Sequence, residues 1–376
     1  MNLLLLDQYS DPGGAQQALA ELLPAICERG WRAVVGLPGS GELCAVVRAL
    51  GLELERIDCA SDLRRYAARV PRLAAQIRKL AQRVGADLVY LNGPRLAPAA
   101  ALAGLCCPVM FHSHSWLPAG MARAATALAL RRMDARVVAN CDFVASQWRR
   151  LVRADRIETI YNGVAGPVGT PLRRPDGPPR IGCIGRMSPE KGQREFVAAA
   201  AGIHDSLPEC RFVICGEALF GNPEARRYAA EVRSAASGLP AEFRGWVPDI
   251  YGALAELDLL LVPSVGPEAT TRVILEAFAA GVPVIAFRSG GISEVVEDGV
   301  TGVLVRSVEE MAREAVALLR GGPERRAAMA RAARAEWQRR FTRGKFHARL
   351  LGVMEEWAFR GSGLRQFQNS SSEPRA

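Results

Sequence analysis

Two cations flank a glycine turn early in the second half of the chain, in Gly185-Arg186-Met187-Ser188-Pro189-Glu190-Lys191-Gly192. The apolar run before it, residues 181–184, reads as a strand, and residues 193–201 after it read as a helix. One guanidinium and one ammonium are thus presented at the carboxyl end of a strand, where open α/β sheets bind their ligands. Two such cations suit a phosphate or a diphosphate. Further on, residues 263–268 close the run 259–262, and residues 270–280 have helix-like composition ended by Gly281-Val282-Pro283. Glu268 then stands just before a helix and Glu276 within it. The amides near Ala269, Thr270 and Thr271 would be donors at the helix start, an anion-binding position. The plainer alternative makes Glu268 a helix cap and Glu276 surface charge. A glycosidase pair is disfavoured, since eight helical residues place two carboxyls roughly 12 Å apart, against about 5–9.5 Å in glycosidases.

Two further clusters lie near the amino terminus. Asp11-Pro12-Gly13-Gly14-Ala15-Gln16 follows the first apolar run and precedes a helical stretch, and its glycines permit close backbone approach to a ligand. Neither this turn nor the 185–192 segment is a Gly-x-Gly-x-x-Gly or P-loop motif, which argues against a dinucleotide dehydrogenase or a P-loop ATPase. Phe111-His112-Ser113-His114-Ser115-Trp116 ends another apolar run and holds two of the four histidines. No third His or Cys is placed beside them, so contact with a bound substrate is expected rather than a metal site.

These residues must be positioned by a regular scaffold. Apolar runs of strand length occur at 3–6, 32–37, 52–57, 88–91, 109–112, 135–139 and 157–161, and again at 181–184, 212–215, 243–244, 259–262, 284–287 and 303–305. Segments of helical period separate them, as where Leu73, Ile77, Leu80 and Val84 recur with arginines on the opposite face. Such β/α alternation predicts parallel sheets flanked by helices. A Gly- and Pro-rich stretch with weak periodicity follows Asn162-Gly163 and reads as a linker. The expected organisation is an amino-terminal domain at 1–163, a linker at 164–179 and a second domain at 180–340. A helix at 341–361 is expected to pack back towards the first domain, with a disordered tail at 362–376.

The 376 residues suffice for two cores. The formal net charge of +9 is almost wholly arginine, lysine occurring only at 79, 191 and 345. A basic surface favours anionic partners. The Arg-rich stretches 64–83 and 123–136 would suit peripheral contact with anionic lipid, a solvated face being the plainer alternative. Nucleic acid is not expected, with no motif for it and aromatic content of 6%. Nine cysteines without a Cys-x-x-Cys pair predict reduced core thiols in a cytoplasmic protein. No run reaches the roughly 20 apolar residues that span a bilayer.

Taken in order, these segments resemble the family 4 glycosyltransferases, of the retaining GT-B type, over nearly all of residues 1–360. The resemblance rests on Gly13-Gly14, His114 (with His112 as competitor), Asn162-Gly163-Val164, the segment Gly185 to Gly192, the Glu-x7-Glu signature Glu268 to Glu276, and Gly290-Gly291-Ile292-Ser293-Glu294. It implies an α/β fold of two Rossmann-like parallel domains facing each other across a cleft. It further implies a hexosyltransferase-type enzyme that uses a nucleotide-sugar, a UDP- or GDP-sugar, with no cofactor and no metal. The acceptor would be a glycan or lipid-linked sugar in polysaccharide or glycoconjugate biosynthesis. By resemblance Arg186 and Lys191 neutralise the diphosphate, Glu268 holds the donor sugar's hydroxyls and Glu276 the ribose. Gly14 and His114 complete the site, and Gly245-Trp246-Val247 lies where the base is held. Gly185, Gly13, Thr270, Thr271 and Arg272 belong to the donor-binding set. One departure is Ala269-Thr270-Thr271, where members carry Gly-Phe-Gly or Pro-Phe-Gly, so the threonine hydroxyls replace close glycine contacts. A GT-B sugar-nucleotide epimerase and a noncatalytic nucleotide-sugar binder are the alternatives.

Overall fold

A computed structural model describes residues 1–11, 13–59, 63–169, 177–218 and 223–370. The chain divides into two compact units, Met1–Tyr161 with Phe346–Ala376, and Asn162–Lys345.

The first unit is built on seven parallel strands: β1 (Asn2–Asp7), β2 (Arg32–Leu37), β3 (Glu53–Arg56), β4 (Leu88–Asn92), β5 (Val109–Ser113), β6 (Arg136–Ala139) and β7 (Ile157–Thr159). Their order in the sheet is β3-β2-β1-β4-β5-β6-β7. Strand order reverses between β1 and β4, which makes that pair the switch point where ligands bind in open sheets. Leu3, Leu4, Leu5 and Leu6 are all fully buried, because helices cover both faces of the sheet. One face packs on the Leu63–Val84 helix through Leu73, Ile77 and Leu80. On the other face, Phe346, Leu350, Met354 and Trp357 of the last helix join Leu3, Leu5 and Tyr90 in one core. The Trp357 indole N–H donates to the Val109 carbonyl at 3.0 Å.

That last helix, Arg343–Ser370, runs beyond the expected end at residue 361. Extending an established helix costs far less than nucleating one. The remainder of the expected tail, 371–376, lies outside the described residues.

The second unit carries β8 (Arg180–Ile184), β9 (Arg211–Cys215), β10 (Ala241–Gly245), β11 (Leu259–Val262), β12 (Val284–Phe287) and β13 (Val303–Val305). All its pairings are parallel, in the order β10-β9-β8-β11-β12-β13. The reversal falls between β8 and β11. The expected linker is described only in part, residues 170–176 lying outside the described set. At its start Val164 pairs with the return segment: its amide donates to Phe341 at 3.0 Å, and its carbonyl accepts from Arg343 at 2.9 Å. All nine cysteines are free thiols, and six of them are buried. Among the described residues no helix is long and apolar enough to cross a membrane.

Candidate functional site

In the second unit the residues singled out by the sequence gather around the β8/β11 switch point. The ladder between these strands pairs only Leu259 with Ile181 and Leu260 with Gly182. Beyond it the strands are joined through their loops. Val265 N–H donates to the Glu190 carbonyl at 3.0 Å, and Lys191 Nζ donates to Glu268 Oε2 at 2.6 Å. Both side chains of that ion pair are largely buried, 22% and 17% exposed, so it is less screened than a surface pair. Arg186 is held in turn by Glu190, Nη2 to Oε1 at 2.5 Å, on a more exposed face. The two cations expected from the sequence are therefore both present, and each is neutralised by a carboxylate.

Backbone geometry explains why the loop takes this course. Gly192 has φ 71°, and a Cβ there would lie 1.8 Å from the Pro263 carbonyl oxygen, so only glycine lets the loop after β8 cross the loop after β11. Gly290 has φ 47°, and a Cβ there would meet the Glu268 carbonyl at 1.9 Å, while Gly291 N–H donates to that oxygen at 3.0 Å. Glu268 is thus fixed by its main chain rather than capping a helix. Gly185, by contrast, has no such need: an added Cβ would meet only Lys191 side-chain carbons, at 3.9 Å.

Sequence reasoning passed over Gln193. It is 1% exposed, and its amide donates to the Arg186 carbonyl at 2.8 Å and to the Gly185 carbonyl at 3.4 Å while accepting from Ser188 N–H. This side chain binds the cation loop to its following helix, Gln193–Ser206. The available signal was a polar residue on the apolar face of that helix.

The helix holding Glu276 begins at Arg272, with Thr271 as its cap residue, not at Thr270. Its first-turn amides therefore belong to Arg272 and the residues after it, a correction to the expected set at 269–271. Threonine has β propensity, and Thr271 sits extended at φ −79° and ψ 126°. Thr270 and Thr271 are buried, as is Glu276, whose Oε1 lies 3.6 Å from Arg272 Nε one turn earlier. Glu276 is accordingly no surface charge. Gly245 ends β10 at φ 66°, followed by the exposed Trp246 and the half-buried Val247.

The remaining predicted residues lie in the first unit, at its own switch point. Gly13 caps the Gly14–Glu28 helix with extended backbone. Here β1 and β4 stay paired to their last residues, Asp7 opposite Asn92. Asn92 Nδ2 donates to Asp7 Oδ2 at 2.5 Å, and Gln16 Nε2 donates to Asp7 Oδ1 at 2.8 Å. His114 Nε2 then donates to Asn92 Oδ1 at 2.7 Å, which fixes both the ring and its tautomer. His112 is buried behind it, its ring 3.8 Å from that of His114, and its Nδ1 shares a 2.5 Å hydrogen bond with Tyr90 Oη. Burial drives Asp7 up to about 6, opposed by its hydrogen bonds. Burial, and then the neighbouring His114, hold His112 well below the ordinary imidazole value. His114, rather than its competitor, is therefore the partly exposed histidine of the pair.

Comparison with known proteins places the chain in a family. The profile described as Glycosyltransferase Family 4 matches residues 12–165, and that described as Glycosyl transferases group 1 matches residues 178–321. The chain belongs to the group 1, family 4 glycosyltransferases. Among its curated relatives is a D-inositol 3-phosphate glycosyltransferase of Segniliparus rotundus. It is 35% identical over 158 residues, which cover 40% of this chain and 34% of the relative. A GDP-mannose-dependent alpha-(1-6)-phosphatidylinositol monomannoside mannosyltransferase of Mycolicibacterium smegmatis is 33% identical over 197 residues, covering 47% and 49%. The matched stretches thus span a third to a half of these relatives' length. Among solved structures, Anabaena Alr3699/HepE in complex with UDP-glucose superposes with a TM-score of 0.80 at 24% identity, covering 94% of this chain and 99% of that one. The two parallel-sheet units are those of the GT-B fold class.

Proposed function

We propose that this chain transfers a hexose from a nucleotide-sugar to a glycan or lipid-linked acceptor, with retention of anomeric configuration and without a metal. The single observation that carries this reading is the Lys191–Glu268 ion pair across the open β8/β11 switch point. A diphosphate entering there brings more negative charge than one carboxylate and takes over Lys191. Glu268 is then released to accept hydrogen bonds from sugar hydroxyls, so one exchange of partners serves both roles. Arg186 passes from Glu190 to the same diphosphate and stabilises the charge left on it as the sugar–phosphate bond breaks. Glu276, fixed by Arg272, takes the ribose hydroxyls, and residues 245–247 take the base. In the first unit, His114, oriented through Asn92, is held ready to contact a bound substrate. The relatives support this class of chemistry: one is named for GDP-mannose, and Alr3699/HepE is described with UDP-glucose. The reaction would run at the cytoplasmic side, with peripheral contact to anionic membrane where the acceptor is lipid-linked.

The deciding experiment follows thermal stabilisation by UDP-, GDP-, ADP- and dTDP-sugars without added metal, for wild type and Lys191→Ala. A ligand at a hundred times its Kd stabilises the native state by about 2.7 kcal/mol. Stabilisation by one nucleotide class, reduced in the variant and accompanied by transfer or donor hydrolysis, is the expected result. Equal stabilisation of both proteins would remove Lys191 from the site. Binding with neither transfer nor hydrolysis across a broad acceptor set would favour a noncatalytic binder.

A further inference from the structure

In the first sheet, β1 and β4 are joined by a parallel ladder that runs to their last residues, Asp7 and Asn92. Both side chains are buried, 0% and 1% exposed. Two strands already joined by their backbones need no carboxyl between them, and this one is costly. Loss of hydration is what raises Asp7 above the ordinary carboxylate value. Apolar side chains of similar volume would fill the same space at least as stably. A costly ionisable group at the ligand-binding end of an open sheet points to work other than folding.

The hydrogen bonds around Asp7 have a fixed polarity. Tyr9 N–H and Gln16 Nε2 both donate to its Oδ1 at 2.8 Å, and Asn92 Nδ2 donates to its Oδ2 at 2.5 Å. A carboxylate only accepts, so Asn92 turns its nitrogen towards it. The same nitrogen lies 3.2 Å from the Ala15 carbonyl, which also only accepts. The Asn92 oxygen therefore points the other way, to His114 Nε2 at 2.7 Å. An oxygen in that place requires the ring proton on Nε2. Turning the Asn92 amide over would set its oxygen against two acceptors at once, so the direction of the whole relay is decided at Asp7. His112 backs the His114 ring at 3.8 Å between centroids and is itself tied to Tyr90 Oη.

The interposed amide sets this relay apart from a carboxylate–imidazole dyad. A carboxylate touching the ring stabilises the imidazolium and so assists proton removal. An amide passes on direction without passing on a proton. We infer that Asp7 is a positioning residue of the transfer reaction, acting through Asn92 to hold the His114 imidazole in one orientation with its proton on Nε2. This rests on the reading of His114 as a substrate contact in a glycosyltransferase. Asp7 is fully buried and touches no substrate. Its contribution is a ring already in place when the substrate arrives, and loosening such a ring costs rate more than affinity.

The test uses the full chain and two variants. Asp7→Asn keeps one oxygen for Tyr9 and Gln16 but puts a nitrogen where an oxygen held Asn92. The exchange Asp7→Asn/Asn92→Asp restores the polarity: the new amide donates to the new carboxylate, whose other oxygen again accepts from His114. Imidazole tautomers are read from two-bond proton–nitrogen NMR spectra, with the His114 signals, among those of four histidines, assigned by their loss in His114→Ala. Transfer rates and nucleoside diphosphate affinity are measured alongside. Asp7→Asn should mix the His114 tautomers and lower kcat by about ten- to hundredfold, with nucleoside diphosphate affinity unchanged. The exchange should recover both the Nε2–H tautomer and most of the rate. An unchanged tautomer or an unchanged kcat in folded Asp7→Asn overturns the inference. So does an exchange that recovers the melting temperature but neither tautomer nor rate, since the pair would then serve the fold alone. A wild type that transfers no sugar, yet whose His114 tautomer depends on Asp7, would overturn the transferase reading instead and leave the relay standing.

Discussion

Where β1 meets β4 the ladder is paired through Asp7 and Asn92, and where β8 meets β11 it stops at Leu260 and Gly182. These are the same topological position in two sheets of like strand order, yet they are closed by different chemistry. The first is zipped by a fully buried carboxyl and amide, with a histidine attached to the amide. The second is bridged above the ladder by the Lys191–Glu268 ion pair, partly open to solvent, with the Arg186–Glu190 pair beside it in the loop after β8. A buried hydrogen-bonded clasp is rigid and costly to break, whereas a partly solvated ion pair can trade one partner for another at small net cost. The first arrangement therefore holds a histidine still, and the second keeps two cations ready for an incoming anion.

The comparison can be broken most decisively at Lys191. Lys191→Ala should lower transfer by about 10²–10³ and cost only about 1–2 kcal/mol of stability, from leaving the largely buried Glu268 without its partner. A matched loss of stability would mean that the pair belongs to the fold rather than to the ligand.

Asp7 sharpens the other side through pH. Its folded value of about 6 exceeds the unfolded value of 3.8, so the folded state holds this proton more tightly. The stabilisation is complete below the unfolded value and is lost as pH rises from about 4 to about 6. Its full size is about 3 kcal/mol. His112, held low by burial, acts in the opposite direction below the ordinary imidazole range. The informative quantity is therefore the difference in urea unfolding free energy between Asp7→Asn and wild type. That difference should move in favour of the variant as pH rises through this window, and a flat difference would show that Asp7 is ionised in the folded protein.

Asn92→Ala strips partners from a buried carboxyl and from His114 at once. It should cost about 2 kcal/mol in urea unfolding, with nucleotide affinity untouched. Smallest of all is Glu190→Gln, which frees Arg186 from an exposed pair worth under about 1 kcal/mol. It should tighten nucleoside diphosphate binding by a few fold in calorimetry, and weaker binding would mean that Glu190 orients Arg186 for the ligand.

How much of this was legible beforehand depended on the range of the interaction. Strands such as β11 and β12 are apolar runs because both faces of a parallel sheet are buried, so strands of this kind could be placed from composition alone. Their last residues could not. Asp7, Asn92 and Ser113 are polar, and a polar residue after an apolar run looks like the start of a loop; here they complete the strands, and Asp7 and Asn92 carry the clasp. Lys191 and Glu268 were each marked as chemistry-bearing, but 77 residues separate them, and no local spacing rule reports that they touch. Gln193 was hidden for a related reason: its burial is decided by the loop folded over it. The late helix start at Arg272 reflects the extended Thr271, where local backbone preference outweighed a helix-like window.

The core of the first unit also has a bearing on how the polypeptide is made. Its β7 strand ends at Thr159, but Phe346, Leu350, Met354 and Trp357 complete the layer against β1 and β4. The second unit is a single continuous segment, Asn162–Lys345. On a ribosome, where domains commonly settle in the order they emerge, this chain must do the reverse. Its amino-terminal sheet waits with one face unfinished until Trp357 has been made, while the later unit already has every residue it needs. Premature termination anywhere past Lys345 but short of Trp357 would release a protein whose second half is whole and whose first half exposes bare leucines, a substrate for chaperones and proteases.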